Sequence, residues 1–225
     1  RVACRWFGEA IDVALREEET GVLLPSRTQN ICLLIGQGGT GKTTIILELM
    51  LEVFCMFFPA LEGEDRYMVT TFSHAQSDAI SNEKHRACTA HSACSYRVAS
   101  MRNKDMALKT KDKEMQQRWL PKLLLIQDEI SLVPAAVENM MLYRIMRARQ
   151  SQDLDPSKYS LKGQLFGKMP IVLIAGDFLQ IRPAKEISLA DDLYALAASN
   201  PQRVQAEHYA AQSVIQGIEH VIQLK

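Results

Sequence analysis

The stretch LLIGQGGTGKTTIILELM, residues 33–50, places four glycines and a Lys-Thr pair between an apolar tripeptide and an apolar helical pattern. Its centre, GQGGTGKT at residues 36–43, matches the pattern G-x-x-x-x-G-K-[ST] in full. Glycines allow the backbone to turn tightly and to bring its N–H groups close to phosphate oxygens. The helix that follows presents the positive end of its dipole to the same anion. The alternative, a simple glycine turn between a strand and a helix, does not require the Lys-Thr pair.

The residue types in this loop predict separate roles in binding a nucleoside triphosphate with Mg²⁺. Lys42 would contact the β- and γ-phosphates, and the hydroxyl of Thr43 would bind the metal ion. The other predicted nucleotide-binding residues are the rest of the loop and the next helical residue, namely Gly36, Gln37, Gly38, Gly39, Thr40, Gly41 and Thr44.

Five short apolar runs separated by helical patterns predict the fold. Such runs are typical of parallel strands that are buried on both faces. We therefore expect an α/β fold with a parallel sheet, of the P-loop NTPase (RecA-like) type, covered by helices on both sides. The predicted strands are residues 31–35, 67–71, 123–127, 171–175 and 220–224.

Two of these runs end in polar residues that suit a triphosphate site. The run LLLIQDEISLV ends in Asp128 and Glu129, a pattern called Walker B. Asp128 would hold Mg²⁺, and Glu129 would position and deprotonate the attacking water. The run IVLIAGDFLQ ends in Asp177 and Gln180, and strand carboxyl ends line the ligand crevice of a parallel sheet. Gln180 would sense the γ-phosphate. An ordinary strand end or a capped turn would carry the same residue types without these roles.

Composition and charge narrow the classes of protein and of binding partner that the sequence allows. The chain has 225 residues, a formal net charge of zero and 23% charged residues, so any surface for a polyanion must be local. The most basic region is residues 97–122, which a solvated helical face would also explain. Five cysteines without a C-x-x-C pair favour a reducing, intracellular compartment. The longest apolar stretch, residues 45–58, contains Glu48 and Glu52 and is too short to span a bilayer, so we expect no membrane partner.

Three motifs together resemble the superfamily 1B DNA helicases, with the PIF (petite integration frequency) group as the closest match and RecD as a more distant relative. They are GQGGTGKT, IQDEISLV and GDFLQIRP, in this order along the chain. The resemblance implies an ATP-dependent 5′-to-3′ DNA helicase with roles in DNA repair, recombination and telomere maintenance. The preference for adenine is implied by the resemblance alone. In a eukaryote, the family implies a nuclear or mitochondrial location.

Two further stretches resemble DNA-contacting segments of this family. VTTFSHAQSDAI, residues 69–80, supplies Ser73 and His74, and ACTAHSA, residues 87–93, supplies His91 and Ser92. The resemblance makes these four side chains candidates to touch single-stranded DNA at duplex junctions. A surface or internally bonded polar residue is the alternative for each histidine.

The resemblance also predicts the domain organisation. We expect a helical lead-in over residues 1–29 and a RecA-like ATPase domain over residues 30–225. The family has a second motor domain that supplies an arginine finger, and we expect that domain to lie outside this chain. Two other functions stay open at this point: a P-loop ATPase of another kind, and an inactive nucleic-acid-binding fragment of a helicase.

Overall fold

The structure is a computed structural model that describes residues 2–20, 29–61, 65–95, 112–150, 165–177, 188–189 and 213–224. Its centre is a six-stranded sheet with the strand order β3-β2-β4-β5-β1-β6. Every pairing within the sheet is parallel. The strands are β1 (Asn30–Ile35), β2 (Tyr67–Thr71), β3 (Ala87–Thr89), β4 (Leu124–Gln127), β5 (Ile171–Gly176) and β6 (His220–Gln223).

The five predicted strands are confirmed to within one residue at each end. The edge strand β3 was not predicted, because its three residues Ala-Cys-Thr form no apolar run. Its register with β2, from Val69 opposite Ala87 to Thr71 opposite Thr89, identifies it as a strand.

Helices cover both faces of the sheet. The α-helices are α1 (Val2–Thr20), α2 (Lys42–Thr44), α3 (Glu52–Phe57), α4 (His74–Ile80), α5 (Ala90–Ala93), α6 (Asp112–Trp119) and α7 (Ala135–Gln150). In addition, a left-handed turn at Leu165–Lys168 precedes β5, with positive φ angles at Phe166, Gly167 and Lys168.

The helix predicted after the glycine-rich loop is continuous but not regular. A π-helical segment, Ile45–Leu51, joins α2 to α3, and the residues at both junctions keep right-handed helical angles. The helix ends before Pro59, as the sequence predicts. The helix predicted from Pro134 to about Arg149 is also confirmed, as α7.

Alternate residues of the central strands enter opposite cores, which explains why the strands read as continuous apolar runs. In β4, Leu125 packs in the core beneath α5, α6 and α7. Leu124 and Ile126 pack in the other core, beneath α1, α3 and the π-helical segment. The helical lead-in contributes Trp6, Phe7, Ala10, Ile11 and Ala14 to this second core, so α1 is an integral part of the packed domain.

Some sequence expectations need correction or lie outside the described residues. The connection predicted to be exposed, residues 149–167, ends in Leu165, Phe166 and Gly167, which are buried. Gly167 lies so close to Arg149 that a Cβ would be 2.6 Å from the Arg149 Cβ, and the Arg149 Nε donates to the Gly167 carbonyl at 3.0 Å. The helix predicted after Ser188 and residues 206–212 of another predicted helix lie outside the described residues; residues 213–217 are helical.

The basic region is described only in part. Within residues 112–122, Arg118 donates to the backbone carbonyls of Ser92 and Ala93, and Lys122 is buried and donates to the carbonyl of Asp65. These two cations therefore hold internal contacts. In the described part of the chain, no helix combines the length and apolar character that crossing a membrane requires.

Candidate nucleotide and metal site

The predicted site residues lie at one edge of the sheet, because all strands are parallel and their carboxyl ends coincide there. The glycine-rich loop follows β1, the Asp128-Glu129 pair follows β4, and Asp177 follows β5. Ile35 is in register with Gly176, and the Gly36 N–H donates to the Gly176 carbonyl at 3.4 Å. This pairing places the start of the loop beside Asp177, which is 7% exposed.

Glycine is required at specific positions of the loop. Gly39 and Gly41 have φ angles of +82° and +83°, which L-residues rarely adopt. A Cβ on Gly36 would lie 2.6 Å from the Thr40 Oγ1 and 3.1 Å from the Leu224 Cβ. Thr40 closes the loop, since its N–H and hydroxyl donate to the Gln37 carbonyl at 3.3 Å and 2.8 Å.

Lys42 is folded over the loop. It is 6% exposed, and its Nζ donates to the carbonyls of Gly36 at 2.6 Å and Gln37 at 3.1 Å. In both of these hydrogen bonds, the acceptor for the ammonium group is a neutral backbone carbonyl. A phosphate is a stronger acceptor than a carbonyl, so the lysine can exchange these contacts for a phosphate oxygen.

Asp128 faces the loop helix. The carboxyl of Asp128 is 3% exposed, and burial raises its pKa to about 6. The N–H of Glu129, the charge of Lys42 and a hydrogen bond from the Thr43 side chain all favour the ionised form, whereas the charge of Glu129 opposes it. Thr43 therefore lies close enough to Asp128 to influence its charge, which is consistent with the prediction that the two residues share one site.

The backbone conformation of Glu129 is strained. Its φ and ψ angles, 55° and 42°, are in the left-handed region, where a non-glycine residue is uncommon. Its N–H donates to the Asp128 Oδ1 at 2.9 Å. The Glu129 Oε2 is buried and has no hydrogen-bond partner within the described residues, so it can accept a proton or a water hydrogen.

The donor set fits Mg²⁺. Mg²⁺ prefers oxygen ligands and commonly uses one or two carboxylates together with substrate phosphates. The Asp128 carboxylate and the Thr43 hydroxyl supply such oxygens beside the phosphate loop. Across the described ranges, no group of three or more His, Cys, Asp or Glu forms a metal site independent of a nucleotide.

Gly176 allows the end of β5 to lie against the acidic turn, which is formed by Asp128, Glu129 and Ile130 after β4. A Cβ at this position would lie 2.9 Å from the Ile130 Cγ2 and 3.2 Å from the Ile130 backbone N. The sequence analysis missed this role, although the glycine at the end of an apolar strand was a signal for close backbone approach. Thr44 is exposed on α2. Gln180 lies outside the described residues.

The four candidate DNA contacts lie at the same edge, after β2 and β3. Ser73 caps α4 in a capping box: its backbone N–H donates to the Gln76 Oε1 at 3.0 Å, and its Oγ accepts from the Gln76 N–H at 3.3 Å. His74 and Ser92 are exposed, whereas His91 is half-buried and burial lowers its pKa. Ser73 thus has a structural role, while His74 and Ser92 are free to face solvent ligands.

Gln29 has a structural position at the start of β1. It is buried, and its Nε2 donates to the carbonyls of Leu165 and, at 3.2 Å, Met169. This side chain ties β1 to the turn before β5.

The sequence analysis also missed a buried contact next to the acidic pair Asp128 and Glu129. The Gln127 Nε2 donates to the Glu138 Oε2 at 2.7 Å, and Glu138 is 0% exposed. A polar Gln at the end of an apolar strand was the only signal in the sequence.

The fold and the site together define a P-loop nucleoside triphosphatase domain of RecA-like architecture. A family model described as an AAA domain matches residues 22–185, which is more than half of the chain. The chain belongs to this family. No curated protein sequence matches it.

Solved structures of Pif1 helicases share this fold. The Candida albicans Pif1 helicase matches with a TM-score of 0.56 and 18% identity, covering 96% of this chain and 38% of that one. Pif1 from Bacteroides sp, in complex with ADP-AlF4, matches with a TM-score of 0.50 and 15% identity, covering 85% and 36%. The fold predicted from the resemblance to the PIF group is therefore confirmed, and the chain spans under two fifths of these helicases.

Proposed function

We propose that this chain is the first motor domain of an ATP-dependent DNA helicase that moves 5′ to 3′ along one strand. The observation that carries the proposal is the proximity of Lys42 and Thr43 to Asp128, because these three groups come together where a triphosphate and its metal ion would bind. The complex of the similar Bacteroides Pif1 with ADP-AlF4 supports an adenine nucleotide.

Nucleotide binding would begin with the loop. Backbone N–H groups of residues 38–42 would receive the phosphates, and Lys42 would leave the carbonyls of Gly36 and Gln37 for a phosphate oxygen. Thr43 and Asp128 would hold Mg²⁺, which would neutralise charge on the phosphates.

Hydrolysis would follow from the position of Glu129. Its unpartnered Oε2 would orient a water molecule and accept its proton as the water oxygen attacks the γ-phosphorus and ADP leaves. The left-handed backbone at Glu129 turns the chain sharply after β4 and supports this orientation. We propose that Gln180 senses the γ-phosphate, and that Asp177 lines the same pocket.

DNA binding and unwinding would require more than these residues. We propose that His74, His91, Ser73 and Ser92 contact single-stranded DNA and that a second motor domain completes the ATP site with an arginine. A Pif1 structure that explains DNA unwinding at forked double-stranded DNA matches this chain with a TM-score of 0.50 and supports a junction as substrate. Roles in repair, recombination and telomere maintenance, and a nuclear or mitochondrial location in a eukaryote, are part of the same proposal.

The proposal is tested by measuring nucleotide affinity and ATP turnover of matched variants with and without single-stranded DNA. Lys42→Ala should weaken Mg·ATP binding about tenfold or more, whereas Glu129→Gln should keep binding and nearly abolish turnover. Glu114→Gln, which removes an exposed carboxylate on α6 away from the site, is the control that should change neither strongly. Turnover that single-stranded DNA leaves unchanged would indicate a P-loop ATPase of another kind. Absence of nucleotide binding would indicate an inactive nucleic-acid-binding fragment.

A further inference from the structure

The side chains of Gln127 and Glu138 form a buried polar pair directly behind the acidic pair. Gln127 ends β4 and precedes Asp128 in the chain, and Glu138 lies in the first turn of α7. The Gln127 Nε2 donates to the Glu138 Oε2 at 2.7 Å, and the Met141 Sδ is 3.8 Å from the same nitrogen. This pair therefore ties the carboxyl end of β4 to α7.

Two oxygen atoms of the pair lack a hydrogen bond. The Gln127 Oε1 and the Glu138 Oε1 are both buried and have no partner among the described residues. A buried acceptor without a partner is costly. An ionised carboxylate has no hydrogen to donate, so it would leave both atoms unsatisfied. One proton on the Glu138 Oε1 would satisfy both, because the resulting O–H can donate to the Gln127 Oε1.

The charges around Glu138 do not compensate an ionised carboxylate. Cys94, which precedes α6, interacts electrostatically with Glu138, with Arg144 on α7 and with Arg118 on α6. Both guanidinium groups donate to backbone carbonyls next to Cys94. Within the described residues, no cation forms an ion pair with Glu138. Burial raises the pKa of the Glu138 carboxyl to about 7, and the Gln127 hydrogen bond opposes this rise.

We infer that Glu138 is a positioning residue: held as a neutral carboxylic acid, it closes a ring of two hydrogen bonds with the Gln127 amide. The ring fixes the end of β4 from which Asp128 and Glu129 project. The protonation follows from the contacts alone, whereas its consequence for nucleotide binding rests on the proposed function.

The first experiment detects the proton. At about pH 6, exposed carboxylates are ionised, so the infrared carbonyl band of a neutral carboxylic acid reports buried acids. The unmodified chain should show a band to which Glu138 and, with its pKa of about 6, Asp128 contribute. Glu138→Gln should remove the Glu138 part of this band, whereas Glu114→Gln, an exposed control on α6, should leave the band unchanged. An identical band in the Glu138→Gln variant would overturn the inference.

The second experiment measures the free energy of unfolding against pH. The folded pKa of Glu138 lies above its ordinary value of 4.5, so the folded state holds more protons between about pH 4.5 and pH 7. Stability from this group is therefore present at low pH and is lost as pH rises through about 7. Glu138→Gln can form the same ring with two amides and should remove this loss, while Glu114→Gln should keep it. Parallel pH profiles for all three proteins would contradict the proton assignment.

The third experiment separates positioning from mere packing. Glu138→Gln should bind Mg·ATP within about twofold of the unmodified chain, whereas Glu138→Leu, which breaks the ring, should bind about tenfold more weakly. Equal affinity in a folded Glu138→Leu variant would overturn the positioning role. If the unmodified chain binds no Mg·ATP, the proposed function fails, and the infrared and unfolding results still decide the protonation.

Discussion

At the scale of single residues, the candidate nucleotide site depends on carboxyl groups whose burial in the folded domain costs free energy. Asp128 is almost fully buried, and burial dominates over the favourable contacts with Thr43, Lys42 and the Glu129 N–H, so the pKa of Asp128 is raised to about 6. Such a group destabilises the domain when it is ionised and is retained where it serves a ligand. The strained backbone of Glu129 and its unpartnered Oε2 are consistent with the same interpretation.

Replacing Asp128 by Asn should therefore stabilise the domain and weaken its metal site. The folded pKa of Asp128 exceeds its ordinary value of 3.8, so stability falls as pH rises from about 4 to about 6 and stays lower above that. At about pH 7.5, Asp128→Asn should gain up to about 3 kcal/mol, since one pKa unit corresponds to about 1.4 kcal/mol. Urea unfolding measures this gain, and Mg·ATP titration should show weaker binding. A variant that is less stable at this pH would contradict the account.

The residues of the candidate site were predictable only where a sequence motif indicates them. Lys42, Thr43 and Asp128 follow from patterns whose chemistry requires those residue types, and the structure brings them together. The pairing of Gln127 with Glu138 was not predictable, because it joins residues 11 positions apart through the packing of α7 on β4. The positive φ of Glu129 likewise depends on how the turn after β4 packs, and no local sequence signal indicates it.

At the scale of elements, the site is assembled by strands that approach closely at their carboxyl ends. Continuous apolar runs identified five strands, as burial on both faces predicts. For β6 the prediction of a buried strand is wrong, because it is an edge strand in which only Ile222 is buried. Neither the three-residue strand β3 nor the π-helical form of Ile45–Leu51 was predicted, because neither has a distinctive hydrophobic periodicity. Gly176 permits a close approach between β5 and the turn that follows Glu129.

Gly176→Ala should consequently disturb the acidic turn. Its Cβ would be 3.2 Å from the backbone N of Ile130, and backbone atoms cannot move away without displacing Glu129. We expect a loss of about 1–3 kcal/mol in the free energy of unfolding and weaker Mg·ATP binding. Gly8→Ala is the matched control: nothing lies within 4 Å of its Cβ position on α1, so this change should stabilise by about 0.5–1 kcal/mol. Equal effects of both changes would argue against the close approach.

At the scale of the whole molecule, the chain contains one RecA-like sheet and spans 38% of the Candida albicans Pif1 helicase chain. The parallel sheet and the helices on both faces were predictable in kind from the alternation of apolar runs and helical patterns, whereas the order of the strands was not predicted. In the proposed function, a second domain completes the motor, and its arginine would raise the rate of phosphoryl transfer by about 10³–10⁵.

The 225-residue chain should therefore bind nucleotide, turn it over very slowly and leave DNA duplexes intact. A steady-state phosphate-release assay and a strand-separation assay with a forked duplex measure these two activities. The expected turnover is about a thousandfold or more below that of a complete two-domain protein. Robust unwinding by this chain would show that its own residues complete the motor, contrary to the account.

The central claim is that the backbone amides of residues 38–42 hold a triphosphate whose metal ion is shared by Thr43 and Asp128. A crystal structure with Mg²⁺ and a non-hydrolysable ATP analogue tests it most directly. The account predicts phosphates in the loop, the Lys42 Nζ moved from the carbonyls of Gly36 and Gln37 to a phosphate oxygen, and Mg²⁺ between Thr43 and Asp128. A nucleotide bound elsewhere, or an Asp128 side chain that points away from the metal ion, would contradict it.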